Sequence, residues 1–243
     1  RLAERTAARL NETTTPAMKF TYYGHSCFAV ETCGKTLLFD PFIRPNPLAA
    51  GVAMDQIRAD YLLISHGHFD HIADAVELAQ QTGATVVSNF EIISWLEKQG
   101  LKNVHPMNIG GAWNFDFGRV KSVNALHSSQ LPDGSNGGSP GGFVVATAEG
   151  AFYYAGDTAL TLDMKLIPEE FPLKFAILPI GDNFTMGAAD GARAASLLQC
   201  QTIVGVHYDT FPWIKISPGT AASAFQTAGA TLHLPAIGQT ITL

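Results

Sequence analysis

YLLISHGHFDH, residues 61–71, is the stretch on which the reading of this chain turns. Its first part, Tyr61 to Ile64, is a continuous apolar run after Asp60, as expected of a strand buried on both faces. Its second part carries His66, His68, Asp70 and His71. His66 and His68 lie two apart, so an extended loop sends both imidazoles to the same side. Asp70 and His71 then open a helix, where a carboxylate suits the backbone dipole. Imidazole and carboxylate ligands together suit zinc, iron, manganese or nickel. So many ligand-type residues within six positions exceed what one metal usually draws from one loop. A polar loop with a helix cap would account for Asp70 but not for the three histidines.

Working outward, KFTYYG, FAVETC and TLLFD upstream are short β-branched and aromatic runs separated by glycine or polar turns. They read as strands joined by hairpins. Downstream, residues 72–82 have apolar residues at helical spacing and stop at Gly83. TVVSN returns to strand, and residues 90–99 form a second expected helix closed by Gly100. Two strand-like runs broken by Gly118 fill residues 111–126. FVVATAEGAFYYAGD reads as a hairpin turning at Glu149-Gly150, and FAILPI as a buried strand. Helices are expected over 188–198 and 220–228, with strands in TIVGV, TLHL and TITL. LPDGSNGGSPGG, residues 131–142, has the composition of a flexible loop. The order of strands followed by helix recurs in each half, which suits two similar layers packed face to face.

The 243 residues, 47% of them hydrophobic and 15% charged, suffice for one large α/β domain. A net charge of -6 disfavours general binding of nucleic acid, which needs a basic face. Cys27, Cys33 and Cys200 are too few and too irregular for a disulfide framework and suit a reducing, cytoplasmic setting. Cys27 and Cys33 are expected to be buried thiols. No apolar run approaches the roughly 18 residues of a membrane span. Residues 1–17, RLAERTAARLNETTTPA, lack the apolar core of a signal peptide. They read as an extension or a vector-derived remnant, with the compact domain over 18–243.

The pattern His-x-His-x-Asp-His at residues 66–71, after a buried strand and opening a helix, resembles the signature of the metallo-β-lactamase superfamily. YYGHSCF, LLFDPF, HGHFDH, GDNFTMG and HYDTFP together resemble the UPF0173-type metal-dependent hydrolases, relatives of the ascorbate-6-phosphate lactonases. The resemblance covers about Met18 to Leu243. It implies an αββα four-layer sandwich: two mixed sheets face to face with helices outside, and the site at one edge. It implies two divalent metal ions per chain, zinc first, with manganese, nickel or iron as alternatives. His66, His68 and His127 would hold one, Asp70, His71 and His207 the other, and Asp157 would bridge them. Asp40 would support the metal loop from behind. A bridging hydroxide with Asp70 and Asp157 leaves such a centre positive, which draws anionic or carbonyl-bearing substrates.

The same resemblance directs attention to residues around the metals. His25, in GHSCF, could orient a metal ligand, donate to a substrate oxygen or act as general acid, so Asp70 or His25 would manage the proton. Asn183, Thr185 and Met186 would line the pocket, with Asn183 donating to a developing oxyanion. Tyr208 would contact substrate, and Arg44, in PFIRPNP, would bind a phosphate or carboxylate if its loop overhangs the site. His105 and His233 are expected to be structural or exposed. The expected activity is hydrolysis of a small anionic ester, lactone or phosphodiester by metal-bound hydroxide. No nucleic-acid or membrane partner is expected, and a homo-oligomer is open. Two rivals stand beside it: an iron-dependent oxygenase or oxidoreductase on the same scaffold, and a metal-loaded binding protein without catalysis.

Overall fold

A computed structural model describes residues 17–243. The expected extension, apart from Ala17, lies outside the described residues. Met18 is fully buried, and strand β1 begins directly after it.

Two seven-stranded sheets pack face to face. The first contains β1 (Lys19–Gly24), β2 (Cys27–Thr32), β3 (Lys35–Phe39), β4 (Tyr61–Leu63), β5 (Thr85–Ser88) and β6 (Val104–Pro106). The second contains β7 (Ala112–Phe115), β8 (Gly118–Asn124), β9 (Gly141–Thr147), β10 (Gly150–Tyr154), β11 (Leu173–Pro179), β12 (Thr202–Val206) and β13 (Thr231–His233). The last strand, β14 (Thr240–Thr242), crosses back and pairs antiparallel with β1 in the first sheet, Lys19 opposite Thr242. Each sheet is built alike. Strands β14-β1-β2-β3 and β7-β8-β9-β10 are antiparallel, and β4-β5-β6 and β11-β12-β13 continue them in parallel.

The continuous apolar runs follow from burial on both faces. In β3, Leu37 and Phe39 face the inner core while Leu38 faces outward under helices. In β10, Phe152 and Tyr154 point inward and Tyr153 outward. The inner core is aromatic: Phe28 stacks on Phe39 at 4.7 Å and Phe152 on Phe175 at 5.0 Å. Truncating a ring such as Phe39 to alanine there costs about 3–5 kcal/mol. Helices α1 (Phe69–Ile72), α2 (Ala75–Thr82) and α3 (Phe90–Lys98) belong to the first half, and α4 (Ile167–Glu170), α5 (Ala188–Leu197) and α6 (Pro218–Thr227) to the second. Leu78, Ile92 and Leu96 cover the outer face of the first sheet. Ala192, Ala195 and Phe225 cover that of the second. This is the four-layer sandwich of two mixed sheets expected above.

Three expectations are corrected. The helix expected over 72–82 is broken after Ile72, because the Asp74 carboxylate turns away to accept from the Ile43 and Arg44 amides at 2.6 and 2.9 Å. The helix expected from Thr220 begins at Pro218, whose fixed φ suits a first turn, behind the Ser217 cap. The glycine-rich segment 131–142 is tied down. Trp95 Nε1 donates to Asp133, Asn89 Nδ2 to the carbonyls of Gly137 and Ser139, and Leu131 is buried. Its glycines allow close approach: at Gly138, φ 73°, a Cβ would lie 2.8 Å from Asn89 Nδ2. All three cysteines are free, Cys27 and Cys200 buried and Cys33 partly so. Among the described residues, no helix is long and apolar enough to cross a membrane.

Candidate metal centre

Strands β1, β3 and β4 run the same way, as do β8, β10, β11 and β12, so the loops after their carboxyl ends gather at one edge of the sandwich. His25 follows β1, Asp40 follows β3 and residues 66–71 follow β4. From the other sheet, His127 follows β8, Asp157 follows β10 and His207 follows β12. The two groups are joined by the His207 amide, which donates to the His25 carbonyl at 2.8 Å. His25, Asp40 and His207 leave their strands at φ 55°, 40° and 56°. Left-handed backbone without glycine is strained, and here it gathers where side chains must be aimed.

Asp157 is the meeting point. Its Oδ2 lies 3.0 Å from His207 Nε2, 3.2 Å from His71 Nε2, 3.6 Å from His127 Nε2 and 3.9 Å from His66 Nε2. Asp70 Oδ2 lies 2.9 Å from His25 Nε2 and 3.9 Å from both His71 Nε2 and His207 Nε2. Three groups have their donor atoms within 4.8 Å of one another: His66, His68 and His127; His25, Asp70, His71 and His207; and, behind these, Asp40 with His66 and His71. Behind them, Asp40 is fully buried and accepts from the Ser65 amide, the Ser65 hydroxyl, Tyr154 Oη and His71 Nδ1 at 2.6–2.8 Å. That bond fixes the His71 ring so that Nε2 faces the centre.

The electrostatics suit a cation. Burial, aided by neighbouring imidazoles, pushes His25 down to about 4 and holds His66 well below the usual range. His68 and His127 are also lowered, chiefly by burial. Burial would raise the carboxyls of Asp70 and Asp157. The charge of His71, with the His25 hydrogen bond at Asp70 and with His207 at Asp157, outweighs it and holds both well below the ordinary value. His71 itself, opposed by burial, is raised by Asp157, Asp40 and Asp70. Neutral imidazoles and ionised carboxylates are the forms that ligate a metal, so His25, His66, His68, His127, Asp70 and Asp157 are already in ligating form, while His71 would give up its extra proton to a bound cation. Of the buried side-chain atoms without a hydrogen-bond partner among the described residues, His71 Nε2, Asp157 Oδ1 and His207 Nδ1 belong to this centre. His71 Nε2 is near Asp157 Oδ2 but is not directed at it as a hydrogen bond. Leaving such groups unpaired is costly, and a metal ion at the centre would satisfy the first two. The donor set therefore fits a bound metal.

The centre opens into a cavity of about 410 Å³ lined by His68, Asp70, His127, Asp157 and His207 together with aromatic side chains. Several expected substrate residues are elsewhere. Arg44 is exposed and pairs with Glu77 on α2, because Asp74 holds its backbone in a turn away from the cavity. Tyr208 is partly buried with its ring stacked on Tyr22 at 6.2 Å, so it serves the core. Met186 is buried under α5. Asn183 is exposed at φ 59° and its amide turns back to Asp182, while Thr185 Oγ1 donates to the Met186 carbonyl. None of these five lines the cavity. The His25 side chain is fully buried and also off the cavity, bonded to Asp70 and through Nδ1 to Thr210 Oγ1 at 3.0 Å. Of the roles open to it, orienting a ligand matches this geometry. His105 packs on Trp113 and Phe115 away from the centre. The sequence reading missed Phe69, Ser128, Phe184, Phe211 and Trp213, all on the cavity wall. Each stands within a few residues of a motif already singled out, and that adjacency was the available signal.

Residues 19–207 match the family described as the β-lactamase superfamily domain. The UPF0173 metal-dependent hydrolase of Methylacidiphilum infernorum is 57% identical over 209 residues, 86% of this chain and 92% of that protein. The UPF0173 metal-dependent hydrolase of Flavobacterium johnsoniae is 50% identical over 226 residues, 93% of this chain and all of that protein. Among solved structures, Igni18, a metallo hydrolase of Ignicoccus hospitalis, superposes with a TM-score of 0.85 at 34% identity, covering 94% of this chain and 99% of that one. Identity at this level and coverage, on the same fold, establish that the chain belongs to the UPF0173 metal-dependent hydrolases of the β-lactamase superfamily.

Proposed function

We propose that this metal-dependent hydrolase works through a two-metal centre and cleaves a small ester, lactone or phosphodiester. His66, His68 and His127 would hold one divalent ion, and Asp70, His71 and His207 the other, with Asp157 between. The observation that carries the reading is Asp157 Oδ2, within 3.9 Å of imidazoles from both ligand groups. Bound divalent ions, zinc first among the candidates, would supply an activated water and polarise the scissile carbonyl or phosphoryl oxygen. The protein's own part is positional. Asp40 holds His71, and His25 holds Asp70 from the buried side. Asp70 lines the cavity and is the group that would take the proton of the attacking water and pass it to the leaving oxygen as its bond breaks. An anionic or carbonyl oxygen would meet the metals at the cavity floor.

Metal content per chain, with hydrolysis of bis(p-nitrophenyl) phosphate and a lactone panel, tests this on wild type and Asp157→Ala. About two metals per chain and activity that disappears in the variant are expected. One metal, or activity untouched by the substitution, would overturn the bridging role.

A further inference from the structure

The aromatic wall of the cavity speaks to the substrate. Phe69, Phe184, Phe211 and Trp213 line it beside the ligands. Phe69 is 56% exposed, Phe184 50% and Trp213 70%, and these exposed rings, from three separate segments of the chain, converge on one cavity. They are supported walls. Phe69 meets Phe42 edge-on at 5.8 Å, Phe211 meets His25 at 5.4 Å, and Phe184 meets Trp213 at 6.4 Å. Among the described residues, no lysine or arginine lines the cavity. The nearest sequence candidate, Arg44, is engaged with Glu77. Positive charge would therefore come only from the metals, at the floor. A second anion at the far end of a substrate would be stripped of water against aromatic faces with no partner, which is costly. An apolar group there would cover exposed ring surface and be drawn in by it.

We propose that the cavity takes substrates carrying an aryl or bulky alkyl group a few bonds from the scissile bond and no second anionic group at that end, with Phe184 and Trp213 as specificity-determining residues. The inference rests on the reading of this cavity as the hydrolytic site. It disfavours phosphorylated sugar lactones and favours aryl-bearing esters and lactones.

The test reads binding, so its failure is separable from a failure of hydrolysis. Metal-loaded protein is titrated calorimetrically with three carboxylates: 4-phenylbutyrate, butyrate and glutarate. Wild type is expected to bind 4-phenylbutyrate about tenfold or more tightly than butyrate, with glutarate weakest. Trp213→Ala and Phe184→Ala are expected to bring 4-phenylbutyrate close to butyrate. Both side chains are half-exposed or more, so truncation leaves no hole in a core, and metal content checks the centre. The proposal is overturned if glutarate binds best, if the phenyl advantage survives both substitutions, or if the variants lose butyrate by the same factor as 4-phenylbutyrate.

Discussion

Asp40 and Asp157 occupy the same place in the two halves of the molecule. Each follows the strand at which antiparallel pairing gives way to parallel, β3 in the first sheet and β10 in the second. Their surroundings differ. Asp40 accepts four hydrogen bonds from protein donors, and both of its oxygens are engaged within the protein. Asp157 faces four imidazoles through one oxygen, and its other oxygen has no partner. A carboxylate held on both oxygens by N–H and O–H groups of the protein serves to orient its neighbours. One with a lone pair to spare addresses something outside the protein. The comparison assigns opposite jobs to equivalent positions.

Substitutions can break or sharpen that contrast. The largest effect is expected for Asp157→Ala, with loss of more than about 100-fold in activity, beyond the range for residues behind the ligands. Metal content by elemental analysis should fall with it. Asp40→Asn keeps the size and one carbonyl but takes the acceptor from His71 Nδ1. It should cost about 10–100-fold in metal affinity or activity, measured by competition with a chelator. Equal losses in the two variants would abolish the distinction. Tyr154→Phe removes one donor to Asp40 from the facing sheet. It should lower unfolding free energy by about 1.5–3 kcal/mol in denaturant titration, with metal content unchanged. Arg44→Ala, in the loop just after Asp40, should leave activity within about twofold. A larger loss would put that loop back over the cavity.

The sequence carried one half of this comparison better than the other. His66, His68, Asp70 and His71 are crowded into six residues, so their chemistry is local and legible. The fold was legible for a similar reason, since strands buried on both faces are written as unbroken apolar runs. Asp157, His127 and His207 are single residues whose meaning depends on strands brought together from far apart. Only the resemblance directed attention to them. The pairing of Arg44 with Glu77 was not legible, because charge pairing between segments far apart in sequence is invisible in one dimension. The packing of Tyr208 was not legible either, because just past the end of β12 adjacent residues point different ways, His207 to the centre and Tyr208 against the core. The cavity aromatics were passed over because exposure, unlike hydrophobicity, is a property of the folded loop.

The return of β14 to the first sheet has a consequence for the order in which the molecule is made. A nascent chain emerges from its N-terminal side. Until Thr240–Thr242 arrive, β1 presents an unpaired edge, the kind that invites mispairing with other chains. His207 also emerges well after the HGHFDH loop, which lies more than a hundred residues before it. In chain order the strand that seals the first sheet follows the last member of the candidate ligand set, so the edge of β1 stays open for longer than the centre stays incomplete.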